Sequence, residues 1–97
     1  MAAAEGRQPV RRKVAYRGRV QGVGFRMTVA SIARGYPVTG YVKNLRGGNV
    51  ELVVAGDSDE VDAFLAEVAG TFPRNITDVE VGEPDTVERF ESFEIRY

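Results

Sequence analysis

From Lys13 the chain alternates between apolar and polar positions. Val14, Tyr16 and Val20 fall on one side and Lys13, Arg17 and Arg19 on the other, the period of a half-buried strand. A glycine-rich break, Gln21-Gly22-Val23-Gly24, follows at once. Apolar residues then recur at Phe25, Val29, Ile32 and Tyr36, which is helical spacing, and Gly35 is placed to end that helix. Val38 to Leu45 reads as a second strand, Gly47-Gly48 as a hairpin turn, and Val50, Leu52 and Val54 as the buried face of a third strand. Asp57 with Glu60 three residues on resembles a capping box. It opens a helix whose stripe is Val61, Phe64, Leu65 and Val68 and which ends near Gly70. Ile76 to Val81 predicts a fourth strand, and Phe93 to Tyr97 a short last one.

This order predicts an α+β, ferredoxin-like βαββαβ sandwich: an antiparallel sheet, two helices on one face and a short extra C-terminal strand. Residues 1–12 lack periodicity and read as a flexible tail, with one domain over residues 13–97. That fold is shared by enzymes, RNA binders and metal carriers, so it names no function.

Composition narrows the chemistry. Among 97 residues there is no Cys and no His. Thiolate nucleophiles, disulfides and Cys-based metal sites are excluded, and the commonest general base is missing. The net charge of −1 conceals a division: residues 1–50 carry +9 and residues 51–97 carry −10. Eleven of the thirteen basic residues are Arg, whose planar fork matches phosphate and carboxylate. The two halves either neutralise each other in the fold, or the first half builds an anion site. No apolar stretch approaches a membrane span, and the N-terminus has no apolar signal core, so the expectation is a cytoplasmic protein without a membrane partner.

An anion site has a specific candidate. In Gly18-Arg19-Val20-Gln21-Gly22-Val23-Gly24-Phe25-Arg26 a strand runs through glycines straight into a helix. Glycines let backbone N–H groups converge, and a helix N-terminus adds unpaired donors and positive potential. Arg26 stands in the first helical turn, where a cation opposes the helix dipole. One reading is a plain tight turn with Arg26 in solvent or in an ion pair. The other is a cradle that expects an anion. A second oddity is Asn44 at the end of the second strand, a residue type disfavoured in strands and common in turns.

Taken together these segments resemble the acylphosphatase family. The matching stretches are Gly18 to Arg26, nine consecutive positions, then Gly40-Tyr41-Val42-Lys43-Asn44, and the ending Phe93-Glu94-Ile95-Arg96-Tyr97, so that the resemblance covers roughly residues 13–97. It implies an enzyme that hydrolyses the carboxyl–phosphate bond of acyl phosphates, with no metal and no cofactor. It also implies catalytic roles for Arg26 and Asn44, and a phosphate-binding loop at Gln21, Gly22, Val23, Gly24 and Phe25. Arg26 would hold the phosphoryl oxygens, and Asn44 would orient a water for in-line attack.

Inorganic phosphate and sulfate are expected to compete with the substrate. The alternative is a catalytically silent anion-binding module or an RNA-binding module of the same fold. Gly22-Val23-Gly24-Phe25 echoes the glycine–aromatic motif of RNA-recognition modules. Those place their aromatics on central strands, whereas Val50 to Val54 here has none, so nucleic acid is not the expected partner. A monomer is the default expectation.

Overall fold

The computed structural model describes residues 8–97. The chain order is β1 (Pro9–Gly18), α1 (Phe25–Ala33), β2 (Thr39–Asn44), β3 (Val50–Asp57), α2 (Ser58–Thr71), β4 (Ile76–Gly82) and β5 (Phe93–Arg96). The five strands form one sheet in the order β4-β1-β3-β2-β5. The α+β sandwich with a terminal strand is therefore the observed fold. No helix among the described residues is long and apolar enough to cross a membrane.

The sheet is mixed rather than antiparallel throughout. β1 pairs antiparallel with β3 and β4, and β2 pairs antiparallel with β3, but β5 lies parallel to β2 with Val42 opposite Ile95. The cause is the connection before it. β4 and β5 occupy opposite edges, so residues 83–92 must cross the whole sheet before β5 can pair.

Residues 1–7 of the expected tail lie outside the described residues. The rest of that expectation is corrected: β1 begins at Pro9, with Arg12 opposite Val54 and Pro9 opposite Asp57. The consecutive charges Arg11-Arg12-Lys13 hide the strand period, and pairing with the end of β3 supplies what periodicity does not. The Gln8 carbonyl also accepts from the Ser58 N–H at 2.9 Å. Asp57 does occupy the N-cap of α2, but its side chain makes no capping hydrogen bond.

Two other local expectations shift. Gly35 is not left-handed. Instead, the N–H groups of Arg34, Gly35 and Tyr36 take carbonyls three residues back, at 2.9–3.2 Å, so α1 closes in a tightened turn before Pro37. The β2–β3 hairpin is wider than a two-residue turn: Asn44 pairs with Val50, leaving Leu45 to Asn49 as the loop.

Val14, Tyr16, Val20, Phe25, Val29, Val42, Val50, Leu52, Val54, Val61, Phe64 and Val68 are buried as one core. α1 packs on β2 and β5, and α2 on β3 and β1. The stripe residue Leu65 packs against this core half-buried. Val79 and Val81 lie opposite Tyr16 and Val14 and so share the helix side, yet they are exposed because the helices leave the β4 edge uncovered.

The strap 83–92 covers the other face. Arg11 donates to the Glu88 carbonyl, Lys13 meets Asp85 at 3.8 Å, and Phe90 packs edge-on against Tyr41 with centroids 5.8 Å apart. Val53, opposite Lys13 and Tyr41 in register, is buried on this face, which the alternation of Val50, Leu52 and Val54 does not reveal.

Candidate active site

One end of the sheet gathers the ends of β1, β2 and β5 and the start of α1. β1 ends at Gly18, β2 ends at Asn44 opposite Val50, and Lys43 lies beside Arg96 of β5. Tyr16, Phe25 and Phe72 hold the start of α1 in place. Tyr16 and Phe25 meet edge-on at 5.2 Å between centroids, and Phe25 and Phe72 lie 4.7 Å apart. The helix N-terminus is thereby fixed over the end of the sheet.

The turn before α1 depends on two glycines. Gly22 and Gly24 have φ of 79° and 75°, the left-handed region that other residues enter at a cost. A Cβ on either would meet nothing, so the demand is conformational and not spatial. Gly24 is the N-cap of α1, with no side-chain cap, and the first turn contains no acid. Its unpaired N–H donors are left to a ligand.

Val20, Gly22, Gly24, Phe25, Arg26, Met27 and Asn44 line a concavity of about 170 Å³ at this end. Arg26 and Asn44, eighteen positions apart, thus face the same space. Gly22, Gly24 and Phe25 of the expected loop share it. Gln21 and Val23 do not line it: the Val23 side chain points into solvent, and the Gln21 side chain is engaged elsewhere. Gln21 Nε2 donates to the carbonyls of Leu45 and Asn49, each at 2.8 Å. It ties the glycine turn to the hairpin that follows Asn44. Sequence reasoning places Gln21 in the ligand-binding loop through its backbone, and its side chain joins that loop to the hairpin.

Arg26 makes no salt bridge among the described residues. Its Nη1 donates to the Arg96 carbonyl at 3.0 Å, and its guanidinium lies 4.6 Å from the centre of the Tyr97 ring. These contacts orient the side chain without neutralising it. Asn44 carries the most informative atom of the site. Its Oδ1 is the one buried side-chain oxygen or nitrogen among the described residues without a hydrogen-bond partner. Leaving a buried acceptor unpaired costs about 1–3 kcal/mol, so an acceptor kept this way is poised for a donor that the protein does not supply.

The acylphosphatase family profile matches residues 12–95, nearly the whole chain. The chain belongs to the acylphosphatase family. It is 41% identical over 90 residues to an acylphosphatase of Caldivirga maquilingensis, covering 91% of this chain and 95% of that relative. It is also 41% identical over 81 residues to one of Archaeoglobus fulgidus, covering 82% and 90%. The crystal structure of an acylphosphatase from Bacillus subtilis superposes with a TM-score of 0.81 at 33% identity, covering 93% of this chain and all of that one. The acylphosphatase resemblance of the sequence and the fold it implies thus agree.

Proposed function

We propose that this acylphosphatase hydrolyses acyl phosphates by in-line attack of a water that Asn44 orients on a phosphoryl group held by Arg26 and the backbone of residues 21–25. Membership of the family carries the reaction class, and the residue roles rest on the site. The observation that carries them is the buried, unpartnered Asn44 Oδ1 in the same concavity as Arg26, which has no carboxylate partner among the described residues.

The chemistry asks for little more. The bond that breaks releases a carboxylate, whose conjugate acid has a pKa of about 4. That group leaves with its electron pair and needs no proton, so a chain without His or Cys lacks nothing for this step. Phosphoryl transfer depends on positioning and on stabilising charge over the equatorial oxygens. Arg26 supplies a fork of donors to two of these oxygens. The N–H groups of the glycine turn and of the first turn of α1 receive the charge as a preorganised oxyanion site. Asn44 Oδ1 accepts from water and fixes its oxygen in line with the leaving oxygen. One proton of the water passes to a phosphoryl oxygen or to solvent, and inorganic phosphate forms. The same cradle admits phosphate and sulfate as competing anions. The absence of nucleic-acid and membrane partners, the monomeric state and a cytoplasmic location belong to this proposal as well.

Substitution at Asn44 tests the assignment. Asn44→Ala is expected to lower turnover by about 10²–10³ while inhibition by inorganic phosphate stays nearly constant. Asn44→Asp is expected to be no better, because its charge repels the phosphoryl group. An active Asp variant whose rate rises as the carboxylate ionises would establish a general base instead. Parallel loss of phosphate affinity and melting temperature in the Ala variant would reduce Asn44 to a structural role.

A further inference from the structure

The in-line requirement also says where the acyl group must lie. The attacking water and the leaving oxygen stand on opposite sides of phosphorus. Asn44 Oδ1, on the water's side, is buried. The leaving oxygen and its acyl group therefore project toward the open mouth of the concavity.

That mouth is apolar. Six large hydrophobic side chains are exposed among the described residues, and three of them, Val23, Met27 and Tyr97, stand at this end. Met27 is 73% exposed while lining the same concavity as Arg26 and Asn44. Tyr97 is 91% exposed, with Arg26 against its ring. Val23 projects from the glycine turn itself. The other three, Val79, Val81 and Val87, lie on β4 and the strap. A large apolar side chain in the first turn of a helix, open to water beside an anion cradle, suits a ligand with an anionic head and an apolar body.

We propose that Met27 and Tyr97, flanked by Val23, form an acyl-group subsite that selects apolar acyl chains over short or charged ones. This rests on the phosphate assignment above. Exposed arginines nearby, Arg19 and Arg46 in the adjoining loops, would favour the opposite choice, a charged acyl group. The apolar side chains have priority because Met27 lines the concavity and Tyr97 lies on Arg26, whereas neither Arg19 nor Arg46 lines it.

A homologous series tests the subsite. Acetyl, propionyl, butyryl and valeryl phosphate have parent acids of nearly equal strength, so intrinsic reactivity is constant while apolar area grows. Full burial of a methylene corresponds to about fourfold in affinity, and half-burial to about twofold. kcat/KM is expected to rise about two- to fourfold per methylene, mainly through KM. In Met27→Ser the increment should fall toward one, and Met27→Leu should keep it. Calorimetry with methylphosphonate and butylphosphonate should show the same preference without turnover. A flat series in the native protein, or succinyl phosphate preferred over butyryl phosphate, would overturn the subsite. Tighter binding of butylphosphonate with no hydrolysis of any acyl phosphate would support the subsite and defeat the catalytic reading. Absence of both would overturn the two together.

Discussion

Arg26 and Arg96 touch one another, yet their surroundings are opposite. Arg26, on the helix side of the sheet, meets no carboxylate among the described residues and rests on a backbone carbonyl and an aromatic ring. Arg96, on the strapped side, is gripped by two. Its Nε donates to Glu94 at 2.9 Å, its Nη1 to Glu88 at 3.1 Å, and its Nη2 meets the other Glu88 oxygen. The guanidinium also lies 4.2 Å from the centre of the Tyr41 ring. Glu88 and Glu94 hold the Arg96 charge on more firmly than usual, and Arg96 holds the Glu88 carboxyl below its ordinary value. Tyr41 in turn donates to Glu51 at 2.7 Å, and burial followed by that bond pushes its phenol up to about 12. An arginine whose fork is filled by carboxylates fastens the fold, whereas one held only by neutral groups keeps its fork for a ligand. The opposing charges of the two halves of the chain are thus partly paired, at Lys13 and Arg17, whereas Arg26 has no carboxylate partner among the described residues.

The comparison breaks most decisively at Arg26. Arg26→Ala is expected to lower kcat/KM by a factor on the order of 10³ or more with an almost unchanged melting temperature. Arg26→Lys should recover little of it, because a point charge lacks the fork. If Arg96→Ala, assayed for kcat/KM under the same conditions, lost activity as heavily, the division between a ligand-binding and a fold-fastening arginine would fail.

A smaller effect is expected at Gln21, which joins the glycine turn to the hairpin. Gln21→Ala should cost about 1 kcal/mol of stability for its two hydrogen bonds, together with a loss of about tenfold in turnover from a misplaced turn. Denaturant unfolding and steady-state kinetics read the two effects separately. Unchanged turnover with lowered stability would show that the hairpin tie is independent of the site.

On the strapped side, Glu88→Gln should alter kcat/KM by less than about twofold, since the pair it weakens is largely exposed. Its signature is in pH dependence. The folded Glu88 carboxyl titrates below its ordinary 4.5, so the clamp contributes fully above that pH and is lost as pH falls through the depressed value. The difference in melting temperature between native and variant protein should therefore be present at neutral pH and vanish in acid. A constant difference across that range would show that the carboxylate does not titrate with the clamp.

The smallest effect is a null one. Chelation with EDTA should leave hydrolysis unaltered, because a departing carboxylate needs no Lewis acid. Loss of activity restored by a divalent ion would replace the scheme for both arginines.

The order of elements was legible because each rests on a local rule. Alternation marks β3, the Phe25–Val29–Ile32 spacing marks α1, and a glycine run between strand and helix marks the turn into α1. The resemblance carried by Gly18 to Arg26 and Gly40 to Asn44 pointed to the family and to both candidate catalytic residues.

What escaped was decided by partners distant in sequence. Pro9 to Arg12 form a strand because β3 continues far enough to pair with them, while their own charges mask any period. Residues 83–92 have no periodicity to read, and they become a strap only because β5 takes the free edge beside β2, opposite the edge that β4 occupies. The Gln21 side chain is assigned to the hairpin by two carbonyls more than twenty residues away. The residue types were fixed locally. The crossing of the strap brings Glu88 to Arg96, beside its strand neighbour Glu94, and among the described residues it brings no acid to Arg26.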